Sequence, residues 1–265
     1  MHREDSVSQV IIFLFVVISL FAVMLVLMEV GQRVGVRRRN QDAAGAHTGL
    51  TAIDGAVFGL MGLLVAFSFS GAAARFDARR QLIGQETNAI GTAYLRIDLL
   101  PATAQPALRE DFRNYLDARL GYYKNLALND AAAKAELDKS IALQGKIWSK
   151  SVAGCQETGS PSTTSLVLSS LNEMIDITTT RAVALEMHPP AVVFWALAVL
   201  VLVSALLAGY CMAEARTRSW LHMLLYSAIL AIAVYVILDL EYPRVGLIRI
   251  EAADHVLMDL RNSMK

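Results

Sequence analysis

The chain has 265 residues, 55% of them hydrophobic and 18% charged, with a mean hydropathy of +0.45 and no formal net charge at pH 7. Such a composition excludes an ordinary soluble domain and points to membrane spans. The zero balance also excludes a basic footprint for nucleic acid over the whole chain.

The first apolar run, residues 10–30, holds one acid, Glu29, at its end, and reads as transmembrane helix 1. Acids precede it and arginines follow it without a small-residue cleavage site, so it is not patterned as a signal peptide. The second run, residues 55–74, carries no charge. Residues 191–212 carry none either, and residues 219–238 contain only His222. Each run has roughly 20 residues, enough to cross the ~30 Å hydrocarbon layer as a helix. The fourth run begins at Ser219 next to Trp220 and ends near Tyr242, and aromatic rings sit at the headgroup level.

Residues 75–190 are too long for a loop and read as helices. Arg79 to Leu100 carries few breakers before Pro101. From Pro106 to Leu128, Leu108, Phe112, Tyr115, Leu116, Leu120 and Tyr123 fall near helical spacing, and Pro106 suits a first turn. Asn129 or Asp130 caps a third helix that runs to about Ala153. "GCQETGSPSTT", Gly154 to Thr164, reads as a loop by its Gly, Ser and Pro content. A fourth helix follows from about Thr164 to Met187, and Pro189-Pro190 begin the third span. Past Pro243, a short strand-like or extended piece leads to a terminal helix near Glu251 to Ser263. The expected fold class is therefore an all-α membrane protein. It has four transmembrane helices and a helical extramembrane domain formed by the 75–190 insertion and the C-terminal tail, 239–265. Two spans separate insertion from tail, so both lie on one side of the membrane with the N-terminus.

The arginine tally gives a weak orientation. The short loops hold Arg33, Arg37, Arg38, Arg39, Arg216 and Arg218; the other side holds Arg3, Arg75, Arg79, Arg80, Arg181, Arg244 and Arg249 near the spans. Positive charge in short loops counts most, and by that rule alone those loops face the cytoplasm.

Catalytic chemistry is not visible. His2, His47, His188, His222 and His255 are scattered, and neither Cys155 nor Cys211 has a partner at ligand spacing, so no metal site is expected. Cys211 lies in an apolar run and Cys155 does not, so no disulfide is expected between them. The Ser-rich "GSPSTTS" lacks a nucleophile elbow, and no phosphate loop is present. The chain reads as a non-enzyme without a cofactor.

The second span carries two stripes. Gly55, Gly59, Gly62, Ala66 and Ala73 form one of small residues, with Gly55-xxx-Gly59 suited to close helix packing. Thr51, Asp54, Phe58, Met61, Val65 and Ser68 form the other. Both stripes can pack within one bundle. Alternatively the second lines an oligomeric pore, with bulky apolar side chains as a dewetting constriction and Asp54 as a ring of charge at one mouth.

Just past the fourth span, Asp239 and Glu241 form a candidate interfacial acidic site. Carboxylates beside lipid need water, cations or arginines, and Arg75, Arg79, Arg80 and Arg96 are the candidate counter-charges. A polar network is also expected between the segment after span two, with Asp77, Arg79, Arg80, Glu86, Asn88, Thr92 and Arg96, and Asn172, Glu173, Asp176 and Arg181 of the fourth helix.

"FRNYLDARL", "GTAYLRIDLLP", "LNEMIDITTTR" and "DLEYPRVGLIRI" resemble the bacterial bestrophin-like family, over nearly the whole chain. More distantly the chain is similar to true bestrophins, which are pentameric four-span ion channels. Their aromatic- and arginine-rich stretch after the second span is loosely echoed by "RFDARR", Arg75 to Arg80. Their acid-proline-glycine turn after the last span looks similar to "EYPRVG", Glu241 to Gly246. In calcium-gated members, acids beyond that turn bind calcium; here "LIRIE", Leu247 to Glu251, lacks the dense acidic cluster. The resemblance implies an oligomeric ion channel in the inner membrane with the helical domain in the cytoplasm. We adopt that side against the arginine-rich loop 33–39. Its partners are then the lipid bilayer, further copies of the chain and inorganic ions, and no nucleic acid. The competing reading is a membrane-anchored helical sensor or scaffold without conduction.

Overall fold

A computed structural model describes residues 3–41, 48–126, 128–214, 219–243, 247–248, 250 and 255–264. Among them the ordered elements are all helical. The long helices are α1 (Arg3–Gln41), α2 (Thr48–Arg96), α3 (Gln105–Asn125), α4 (Asp130–Thr158), α5 (Pro161–Glu186), α6 (Ala191–Cys211), α7 (Trp220–Glu241) and α8 (His255–Ser263). Four stretches are long and apolar enough to cross a membrane, in α1, in α2, along α5–α6 and in α7. The chain is an all-α membrane protein, as the apolar runs require.

Proline placement explains the punctuation. All six prolines stand at helix boundaries: Pro101 after α2, Pro106 in the first turn of α3, Pro161 opening α5, Pro189 and Pro190 before α6, and Pro243 after α7. Proline lacks the backbone donor that a helix interior needs but is tolerated in a first turn. With no proline in α1 or α2, both run unbroken, 39 and 49 residues long. The helix expected from Arg79 is thus the continuation of span two.

The segment Gly154 to Thr164, expected to be a loop, is mostly helix. α4 continues to Thr158, and only Gly159 and Ser160 separate it from α5. Gly159 adopts the left-handed φ of 63° that a helix C-terminus favours, and its N–H donates to Cys155 O at 3.1 Å. Ser160 is the N-cap of α5, its Oγ accepting from Thr163 N. The Gly and Ser content was therefore cap chemistry. Asn129 caps α4, its side chain accepting from Ala132 N at 3.1 Å.

The chain divides into two compact units. One comprises Arg75–Met187 with both termini, Met1–Ser8 and Pro243–Lys265. Its core is built by Leu108, Phe112, Tyr115 and Leu116 of α3 against Ile83, Ile90 and Tyr94 of α2, Ile147 of α4 and Leu171 and Met174 of α5. α8 joins this core through Leu257, and Arg261 grips Asp117 of α3 with two hydrogen bonds, at 2.7 and 2.9 Å. The extended piece expected after Pro243, Gly246 and the helix start at Glu251 lie largely outside the described residues, as do Arg216, Arg218, Arg244 and Arg249.

The other unit comprises Gln9–Ala74 and His188–Tyr242. Met24, Met28, Val201, Ala205 and Met223 are its buried centre. Here α1 and α6 come so close that a Cβ on Gly31 would overlap the Leu206 backbone and one on Gly209 the Met28 backbone. A Cβ on Gly35 would stand 2.9 Å from Tyr210 O. Close glycine packing therefore uses Gly31-xxx-Gly35. At Gly55, Gly59 and Gly62 of α2 a Cβ would meet nothing within 4 Å.

Candidate functional site

The apolar part of α2 shows two distinct faces within its unit. Phe58 meets Tyr226 of α7 edge-on, with ring centroids 6.4 Å apart. The Tyr226 hydroxyl donates to Ser204 Oγ of α6 at 2.9 Å and stands 3.7 Å from Met61 Sδ; Ser204 Oγ in turn donates to Val201 O at 2.8 Å. Near the start of α2, Cys211 Sγ donates to Asp54 Oδ2 at 3.3 Å. Met61 is buried, and Asp54, Phe58, Val65 and Ser68 are half-buried. So three of the six residues named as pore candidates, Asp54, Phe58 and Met61, meet the chain's own helices, and Val65 and Ser68 are half-buried. The side chain of the sixth, Thr51, lies outside the described residues. The small-residue face, with Gly55, Gly59, Gly62 and Ala66, is exposed, and Leu63 and Phe67 stand on the same open side.

The two acids fall within the last turn of α7, which runs to Glu241 and ends just before Pro243. Asp239 is 1% exposed and Glu241 fully buried. Glu241 Oε2 lies 3.5 Å from His188 Nδ1 at the entry to α6. His188 stacks on Tyr242 at 4.7 Å, and Tyr242 also meets Phe13 of α1 at 5.5 Å. Sequence spacing gave no signal for His188, which lies over 50 positions from Glu241.

In the other unit, the named arginines have distinct posts. Arg79 is buried and caps the end of α5: Nε donates to Ala184 O at 3.0 Å and Nη2 to Met187 O at 2.9 Å. Those carbonyls are the ones a helix C-terminus leaves without intrahelical donors. Arg96 donates to Leu166 O at 2.5 Å and Ser169 Oγ at 3.3 Å, tying the end of α2 to α5. Arg80 is exposed, 3.8 Å from Asp77, and Arg75 is half-buried.

A charged node lies at the centre of this unit. Glu86 of α2 accepts from Arg119 Nε at 2.7 Å through Oε1, and from Arg181 and the Tyr123 hydroxyl through Oε2, the latter at 3.0 Å. Arg119 also donates to the Tyr123 hydroxyl. The Arg181 guanidinium lies 3.8 Å from the Tyr123 ring centroid and that of Arg119 4.8 Å. Burial would raise the Glu86 carboxyl, yet the two guanidiniums outweigh it and hold it below the usual carboxylate range. Burial, with the Glu86 charge adding to it, pushes the Tyr123 phenol well above its ordinary value. A neighbouring bond joins α4, whose Gln144 Nε2 donates to Tyr115 Oη at 3.2 Å.

The expected α2–α5 network thus exists between Glu86 and Arg181, while Arg119 and Tyr123 were not anticipated. Arg119 could have been found, since it sits at helical spacing on the same face as Phe112, Tyr115 and Tyr123. Asn172, Glu173 and Asp176 instead line an open recess of about 440 Å³ on α5. Among the described residues no group of His, Cys, Asp and Glu is placed to hold a metal ion.

A four-span helical architecture of this kind defines a multi-pass membrane protein. The Bestrophin-like domain matches residues 16–254, and the chain belongs to that family. Solved structures of similar fold include two variants of a bacterial bestrophin homologue from Klebsiella pneumoniae. One has a TM-score of 0.66 at 15% identity, covering 93% of this chain and 98% of its own. The other has a TM-score of 0.63 at 16% identity, covering 91% and 98%. A structure described as a membrane protein gives 0.64 at 15% identity, covering 92% and 99%. A comparison with curated proteins found no match.

Proposed function

We propose that the chain assembles with copies of itself, as a pentamer on the resemblance to true bestrophins, into an ion channel of the inner membrane. Residues 10–30, 55–74, 191–212 and 219–238 cross the bilayer, and the helical domain of 75–190 with the tail 239–265 lies in the cytoplasm. α2 lines the pore. The observation that carries this reading is the open face of α2 in a chain of the bestrophin-like family. Glycines offer little to lipid tails, but they let neighbouring backbones approach. Leu63 and Phe67, 50% and 65% exposed, stand one turn apart on that open side. Repeated around an axis, they form an apolar constriction that controls ion passage by dewetting. Phe58, Met61, Val65 and Ser68 then form the layer behind, holding the orientation of α2 through Tyr226, and Asp54 places charge at one mouth.

Ion flux into liposomes tests this. Leu63→Ala and Phe67→Ala are expected to raise flux several-fold by widening the constriction. Phe58→Ala is expected to lower stability by about 2–3 kcal/mol through lost packing on Tyr226, with a smaller effect on flux. Wild-type and variant flux equal to that of empty liposomes under every ion gradient and voltage would leave the non-conducting scaffold.

A further inference from the structure

The last three turns of α1 lie beyond its apolar run. From Gly31 to Gln41, "GQRVGVRRRNQ" holds four arginines and no acid, and the helix passes through them without a break. One face of this segment is occupied, since Gly31 and Gly35 lie against Leu206, Tyr210 and Ala213. Arg33, Arg37 and Arg38 are exposed, and Val34 and Val36 between them are 50% and 43% exposed. Arg33 Nε donates to Glu29 Oε1 at 2.7 Å, so its charge is matched within the helix. Arg37 and Arg38 have no carboxylate partner among the described residues.

Position along the axis says what they meet. At 1.5 Å per residue, Arg37 and Arg38 stand about 10 and 12 Å past Val30. The polar layer on each side of the hydrocarbon core is about 5–8 Å thick. Long arginine side chains lean back toward such a layer while their heads stay solvated. Exposed valines interleaved with arginines suit a boundary that is apolar on one edge and anionic on the other.

We propose that Arg37 and Arg38 form a binding site for the phosphate of anionic phospholipid headgroups, with Val34 beside them in the headgroup layer. The site needs only the membrane-spanning fold; it is independent of whether the chain conducts ions. Each arginine near an anionic surface is worth about five-fold in affinity, so removing both weakens the preference about 25-fold.

The test uses the full-length protein in nanodiscs of phosphatidylcholine, with or without phosphatidylglycerol. Phosphatidylglycerol is expected to raise the unfolding temperature of wild type. Arg37→Gln with Arg38→Gln loses most of that shift, while Lys134→Gln, an exposed cation of α4, keeps it. No shift in wild type, an equal shift in the double variant, or the same shift from inorganic phosphate added to phosphatidylcholine discs would overturn the proposal. Should the double variant not fold, native mass spectrometry of wild type decides. Retention of phosphatidylglycerol over phosphatidylcholine, lost at high salt, supports the site, and equal retention of the two lipids sinks it.

Discussion

At the scale of single residues, Glu86 carries the most weight. Its two carboxylate oxygens serve three helices' worth of packing, α2, α3 and α5, from a position with no exposure. Removing one partner from a buried ion pair leaves the other charge without compensation, at a cost of about 3–5 kcal/mol. Glu86→Gln leaves both guanidiniums without their anion, and its unfolding free energy in detergent is expected to fall by that amount. The pH dependence has a definite sign. The folded carboxyl titrates below the unfolded one, so the stabilisation is complete above the ordinary carboxylate range, about pH 4.3. It is lost as pH falls through the depressed folded value. Wild type should therefore lose stability on acidification to below pH 4 more steeply than Glu86→Gln; parallel acid limbs for the two proteins would refute this role. The sequence showed both Glu86 and Arg181 as polar groups on neighbouring helices. Arg119 was passed over because it sits within an apolar face, where a charge signals a buried partner that spacing alone does not name.

At the scale of helices, glycine spacing was legible and its consequence was not. Gly31-xxx-Gly35 and Gly55-xxx-Gly59 look alike as strings. Among the described residues, only the first meets another helix, because α6 supplies Leu206 and Tyr210 opposite it. Gly31→Leu is expected to destabilise the isolated chain by about 1–3 kcal/mol or more, since overpacking a close contact shifts backbone. Gly55→Leu should leave chain stability nearly unchanged and act on self-association instead. Thermal unfolding and detergent sedimentation of both variants measure this, and a large stability loss from Gly55→Leu would contradict the open face. The helices themselves were readable: the four apolar runs, the apolar face of α3 and the Asn129 cap each follow from one local pattern. The false loop at Gly154 to Thr164 arose because cap residues and loop residues have the same composition. Which face of α2 packs inward was hidden, because both stripes are compatible with burial and the choice depends on the positions of Tyr226 and Cys211.

At the scale of the whole molecule, the proposed orientation places the helical domain in the cytoplasm and the arginines after Val30 outside. Cys155 is only 3% exposed, so labelling needs other positions. In a Cys155→Ser, Cys211→Ser background, Asn40→Cys is expected to react with a membrane-impermeant maleimide on intact cells. Gln156→Cys, exposed at the end of α4, should react only after permeabilisation. The opposite result would reverse the orientation, and equal labelling of both sites would undo the four-span count.

The unbroken course of α2 has a mechanical corollary. Within the helical domain, α2 continues from Arg75 to Arg96 without a proline. Along such a stretch, angular phase is conserved. A single residue inserted between Ile90 and Arg96 turns Arg96 by about 100° relative to Glu86, whereas seven residues return it to within about 20° of its starting phase. Length in this stretch is therefore a minor variable and phase a strict one: Glu86 and Arg96 lie on one screw, and a change of pitch anywhere between them is felt at both.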